Sequence, residues 1–153
     1  MRALRWAGAA IVAVVLALQL VPYGRSHTNP AGRVEPPWDT AVTRALVVRA
    51  CYDCHSNETV WPWYSHVAPM SWLLQRDVDE GRRKVNFSEW DRPQKEARES
   101  AKAVRKGEMP PWYYTPVHPD ARLTAAETQA SIQTPSGIPP ASVAARPSRA
   151  NGR

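Results

Sequence analysis

The sequence predicts an all-α protein, one small helical domain preceded by an apolar N-terminal helix. Three observations carry this. Segments with apolar residues at helical spacing recur between capping residues and glycines, and none reads as a strand feeding a βαβ unit. Seven Trp and five Tyr against a single Phe, with 15 Pro, indicate a fold rich in rings and turns. The 153 residues leave room for one small domain that cannot bury a large core from side chains alone.

Residues 1–22 read as an export and anchoring segment. Arg2 and Arg5 precede an apolar run from Trp6 to Leu18, which Gln19 interrupts before Leu20 and Val21. Such a run spans about 24 Å against a hydrocarbon core of about 30 Å. No convincing small-x-small cleavage site follows it. The expectation is an uncleaved signal anchor, a transmembrane helix with its arginines in the cytoplasm and the domain on the outer side. Residues 23–37 read as a Pro/Gly-rich linker that holds the domain off the membrane, with His27 solvated.

The domain is expected over residues 38–134. Its first helix starts at Asp39 or Thr40, either able to cap it, and presents Val42, Leu46 and Ala50 on one face. It runs into Cys51-Tyr52-Asp53-Cys54-His55, which holds the only two cysteines of the chain. Cys-x-x-Cys-His is the attachment pattern of a c-type haem. Each thiol adds across one porphyrin vinyl group, and the adjacent His reaches the iron. Other chemistries fit less well. A structural zinc site wants four ligands, and His66 and His118 stand isolated. A redox pair of thioredoxin type would follow a strand, and a disulfide closing so small a loop gains little.

Trp61-Pro62-Trp63-Tyr64 supplies large rings for the cofactor's surroundings, and a helix capped by Ser71 is expected to end at Gly81. A ligating His needs an acceptor for its second ring nitrogen, and the Pro69 carbonyl is the preferred candidate. Another helix is signalled from Asp91 to Lys106, with Pro93 in its first turn, acids early, bases late and Gly107 at its end. Met109 follows in an extended Met-Pro-Pro segment, a good place for a thioether presented from a stiff loop. Met109 is the leading candidate for the distal iron ligand, with Met70 and His118 as alternatives; His/Met ligation favours electron transfer.

From the anchor to about Gln133 the chain resembles the haem-binding domain family of small, membrane-anchored, single-haem proteins of cytochrome-c type. The resemblance rests on Asn29-Pro30, Cys51 to Asn57, Trp61 to Tyr64, Pro69-Met70-Ser71-Trp72, Gly81-Arg82, Asn86 to Trp90, Glu108-Met109-Pro110, His118-Pro119 and Leu123-Thr124. It implies a small cytochrome-c-like helical domain around one covalent haem, with Cys51 and Cys54 on the vinyls, His55 proximal and Met109 distal. It implies no substrate. The chain departs from such a pattern at its end. Thr124-Ala125-Ala126-Glu127 is a capping box opening a terminal helix, but few large apolar residues follow, and residues 135–153 read as a disordered basic tail.

The functional expectation is a membrane-tethered carrier of electrons at the bacterial inner membrane, facing the periplasm or cell exterior, and not an enzyme. Its net charge of +6 points to a redox partner that is acidic, steered by Arg82-Arg83-Lys84 and Lys102 to Lys106. A haem sensor or accessory haem enzyme would need a displaceable distal ligand. A zinc or disulfide interaction module is a third class. No nucleotide loop, Ser-His-Asp set or paired-carboxylate site stands out, and no nucleic-acid partner is expected.

Overall fold

A computed structural model describes residues 1–32 and 34–133. Five α-helices follow one another: α1 (Arg2–Leu18), α2 (Ala41–His55), α3 (Met70–Lys84), α4 (Ala97–Arg105) and α5 (Ala125–Gln133). No strand forms among the described residues, only one isolated bridge between Val34 and Glu89. The expected tail, like Thr134, lies outside the described residues.

α1 is 17 residues long with none buried. No helix among the described residues is long and apolar enough to cross a membrane, so the expected transmembrane helix is not found. The physical reason lies at Gln19. Its carboxamide turns to the domain, where Nε2 donates to the Ala68 carbonyl and Oε1 accepts from the Ala68 N–H, both at 3.0 Å. Pro22 then prevents the helix from continuing.

The stretch 23–37 is not a free spacer. Asn29 Nδ2 donates to the Thr59 carbonyl at 2.9 Å, and Val34 pairs with the loop after α3 through Val34 N–H to Ser88 and Trp90 N–H to Val34. His27 is half-buried rather than solvated: its ring lies 4.6 Å from that of Trp61, and Nε2 is 3.0 Å from the Ser65 carbonyl.

α2 begins where its cap dictates, with Thr40 Oγ1 accepting from the Thr43 N–H at 3.0 Å. Its inward face is Thr43, Leu46, Val47 and Ala50, whereas Val42 is 67% exposed. Val47 joins Tyr52, Val85 and Phe87 in the core, with Trp38, Cys51 and Trp90 packed against them. Phe87 is sandwiched between Tyr52 and Trp90, its ring nearly parallel to both. α3 packs across α2, and α5 packs on α2 and α4.

Two helix boundaries differ from expectation. Ser71 is buried inside α3, whose first turn carries no side-chain cap, and Gly81 is interior. Gly81 is there for space, since a Cβ would be driven onto the Cys54 carbonyl. α4 starts only at Ala97, because the preceding residues are held elsewhere: Gln94 Nε2 donates to the Glu89 and Arg92 carbonyls. Its end is as expected. Gly107 adopts φ +70°, its N–H bonds to Val104 and that of Glu108 to Ala103, a Schellman closure. The capping box of α5 also forms, with Thr124 N–H to Glu127 Oε2 at 2.8 Å and Glu127 N–H to Thr124 Oγ1 at 3.2 Å.

Candidate functional site

The last turns of α2 carry Cys51, Cys54 and His55, spaced so that a helix brings them to one side. Close passage of α3 at Gly81 fixes the backbone of Cys54 from behind. Both thiols are free and half-buried, and burial pushes each up to about 12, so they stand neutral. Among the described residues no group of three or more His, Cys, Asp or Glu side chains is placed to hold a metal ion.

His55 Nδ1 lies 3.0 Å from the Val85 carbonyl. The acceptor is therefore Val85, in the loop after α3, and not Pro69, which sits at the N-terminus of that helix. Burial lowers the His55 pKa while the hydrogen bonds to Val85 and Gly81 oppose that shift. A neutral ring with its proton on Nδ1 leaves Nε2 as the free lone pair, the form that binds a metal.

The loop that supplies this carbonyl is locked by a buried polar knot that sequence reasoning did not find. Phe87 N–H donates to the His55 carbonyl at 2.7 Å. Asn86 Nδ2 donates to Asn57 Oδ1 at 2.8 Å, and Asn86 Oδ1 accepts from the Ser88 N–H at 3.0 Å. Asn57 N–H donates to Ser88 Oγ at 3.0 Å, and Gln94 Oε1 accepts from the Asn86 N–H at 2.8 Å. The available signal was the cluster of short polar residues in Asn86-Phe87-Ser88, two of which would be costly to bury without partners.

Arg82 adds a second fastening. Nε donates to the Ser56 carbonyl at 2.7 Å, Nη1 to the Thr28 carbonyl at 2.8 Å, and Nη2 to Asn29 Oδ1 and Thr59 Oγ1 at 2.9 Å. Expected in a steering patch, Arg82 instead ties the N-terminal arm to the exit of the cysteine motif.

Two cavities flank the motif. The larger, about 290 Å³, is lined by Cys51, His55, Val85, Phe87, Val104 and Met109. Lys84, Lys102 and Lys106 alternate around it with Glu96, Glu99 and Glu108, paired at 3.4–3.6 Å. The smaller, about 60 Å³, lies on the Cys54 side and is lined by Trp61, Tyr64, Met70, Tyr114 and His118. The candidate ligands are thereby separated: Met109 shares a cavity with His55, whereas Met70 and His118 line the other. His118 is also engaged, with Nε2 2.7 Å from the Tyr64 hydroxyl and its ring stacked on Tyr114 at 4.0 Å. Of the two tryptophans, Trp61 lines the smaller cavity, and Trp63 is 79% exposed.

The residues present fit a haem. Two thiols at the end of one helix, a neutral imidazole held by a carbonyl, and a thioether that lines the same cavity as that imidazole, beside Val85, Phe87 and Val104, are donors and surroundings such a group requires. No curated protein and no solved structure matches the chain. The model of the haem-binding domain family does, over residues 13–134, a span that takes in the cysteine motif, the knot that holds His55, and Met109. The chain belongs to the haem-binding domain family.

Proposed function

We propose that the protein carries one covalent c-type haem and serves as an electron carrier at the outer face of the bacterial inner membrane. The observation that carries this reading is the shared cavity of His55, Met109 and Cys51. Cys51 and Cys54 would form the thioethers, and His55 and Met109 would ligate the iron. When bound, the haem supplies a reversible one-electron change at its iron. The chain's own residues do the rest. Val85 orients the imidazole, Phe87 and Val104 give the cavity apolar walls, and Met109 would offer the iron a soft sulfur, which favours the reduced state. The reading is of a carrier, not an enzyme.

The N-terminal helix holds the protein at the membrane. At 17 residues it is shorter than a span, and it rests in the bilayer interface without crossing, with Arg2 and Arg5 snorkelling to the headgroups. The partner is an acidic redox protein, drawn by the overall charge of +6. A second reading, a ligand sensor with a displaceable sixth ligand, draws on the 36% exposure of Met109.

The test is the absorption spectrum, oxidised and reduced, of the full chain produced with a c-type haem maturation system, before and after denaturation. Haem retained on denaturing, a low-spin reduced spectrum and a far-red Met-to-iron band that Met109→Ala abolishes are expected. Haem lost on denaturing overturns the covalent reading. A covalent but high-spin haem favours the sensor, and an unaltered Met109→Ala spectrum removes Met109 as ligand.

A further inference from the structure

α1 does not hang from a slack tether. Besides the two hydrogen bonds between Gln19 and Ala68, Arg25 donates to the Gln19 carbonyl at 2.6 Å. Gly24 passes so close beneath α3 that a Cβ there would meet the Ser71 backbone. The chain is thus fastened to the domain within six residues of the helix's last turn.

The surface around this junction continues the character of α1. Val21, Tyr23, Trp72 and Arg76 border one shallow depression. Val67 and Met70, flanking the Ala68-Pro69 segment that Gln19 grips, are each more than two-fifths exposed. Aliphatic residues mixed with Tyr and Arg, backed by the half-buried ring of Trp72, are a composition that settles at the boundary between headgroups and acyl chains.

Length and fastening combine into a constraint. A helix of 17 residues reaches about 26 Å, short of a hydrocarbon core of about 30 Å. A helix of that length does not cross the bilayer, so α1 rests in its interface, and with no slack after Gln19 it brings the attached face of the domain into the headgroup layer with it. We propose that the face formed by Val21, Tyr23, Val67, Met70, Trp72 and Arg76 is seated in the bilayer interface, so that the domain rides against the membrane in one orientation. This rests on the membrane attachment proposed above. The occupant is lipid rather than a second copy of the chain, because the patch is continuous with a helix that is apolar and unburied around its whole circumference, which a second copy would cover on one side only. The orientation also serves the carrier reading. Met70 opens α3 and Lys84 ends it, about 21 Å further along the axis, beside the His55 cavity. The patch and the mouth of that cavity therefore lie at opposite ends of one helix.

The experiment places the photo-crosslinking residue p-benzoylphenylalanine singly at Ile11, Tyr23, Val67 or Val42 of the haem-loaded full chain. Each variant is reconstituted in vesicles of phosphatidylethanolamine and phosphatidylglycerol and illuminated. Lipid adducts are expected at Ile11, Tyr23 and Val67 and not at Val42, an exposed α2 residue outside the patch. Gln19→Ala is expected to reduce the Val67 adduct about five- to tenfold, the cost of two hydrogen bonds, while sparing Ile11. Adducts at Ile11 without those at Tyr23 and Val67 overturn the seated orientation and leave the attachment standing. Absence of adducts at all positions overturns the attachment itself. Tyr23 or Val67 linked to another protein copy instead of lipid overturns the choice of occupant.

Discussion

Asn86→Ala should unfasten the loop that orients His55. Asn86 is 5% exposed, and its carboxamide serves two buried partners, the Asn57 side chain and the Ser88 N–H, both only 1% exposed. Truncation leaves Asn57 Oδ1 and the Ser88 N–H without partners and opens a small void. Each orphaned group costs about 1–3 kcal/mol, so a loss of about 3 kcal/mol is expected. At a urea slope of about 1.5 kcal/mol/M this moves the midpoint by about 2 M. Equilibrium urea unfolding of the full chain reads the first number. Amide exchange at Phe87, whose N–H bonds to the His55 carbonyl at 2.7 Å, reads the local effect and should accelerate more than exchange in α2. In the double variant Asn57→Ala/Asn86→Ala, the loss should fall short of the sum of the single losses by about 1 kcal/mol, since the same bond is removed twice. A loss below about 0.5 kcal/mol for Asn86→Ala, or strict additivity, refutes the claim that the knot holds this loop.

Gly81→Ala is expected to cost about 2 kcal/mol or more by pushing α3 away from Cys54, read as a lowered Tm with altered near-ultraviolet dichroism. Gly107→Ala meets open space, so its cost is backbone strain alone, about 1–2 kcal/mol, and Gly107→Asn should recover part of it. Glu35 is held below the ordinary carboxylate range chiefly by the hydrogen bond from Arg44, against burial and with help from the Trp38 indole. Because the folded value is the lower one, this stability is complete above the unfolded carboxylate pKa of about 4.3 and is lost as pH falls through the folded value. Arg44 is half exposed, so Glu35→Gln should cost only about 1 kcal/mol at neutral pH, with the difference vanishing in pH-dependent melts once pH has fallen below the folded value.

Local signals carried the sequence reading as far as they reach. The Thr40 cap, the Thr124 box and the Gly107 stop each depend on residues within four positions, and each appears as expected. Cys51, Cys54, His55 and Met109 were proposed from signals of the same local kind, a motif and a Met-Pro-Pro stretch, each contiguous in the chain. What failed was long-range. Gly81 and Ser71 look alike in sequence whether they end a helix or line a crossing, and only the neighbouring helix decides. The acceptor for His55 lies 30 residues away and is a backbone carbonyl, which leaves no side-chain trace. Val42 was assigned inward by a four-residue step alone, whereas the buried stripe of α2 from Thr43 to Ala50 steps by three, one and three. The helix signalled from Asp91 lost its first turns because Gln94 found partners in the loop before it.

The grip of Arg82 also bears on what counts as the folding unit. Its guanidinium joins three stretches, at residues 28–29, 56–59 and in α3, and four acceptors depend on it. A fragment beginning at Trp38, where composition alone would cut, strips two of those acceptors and leaves a half-buried cation facing fewer oxygens. The cofactor-bearing body is therefore not a portable module that ends at its proline-rich border. Transplanting it onto another chain requires carrying the arm from Gly24 onward, and the arm's sequence answers to the motif's exit as much as to its own neighbours.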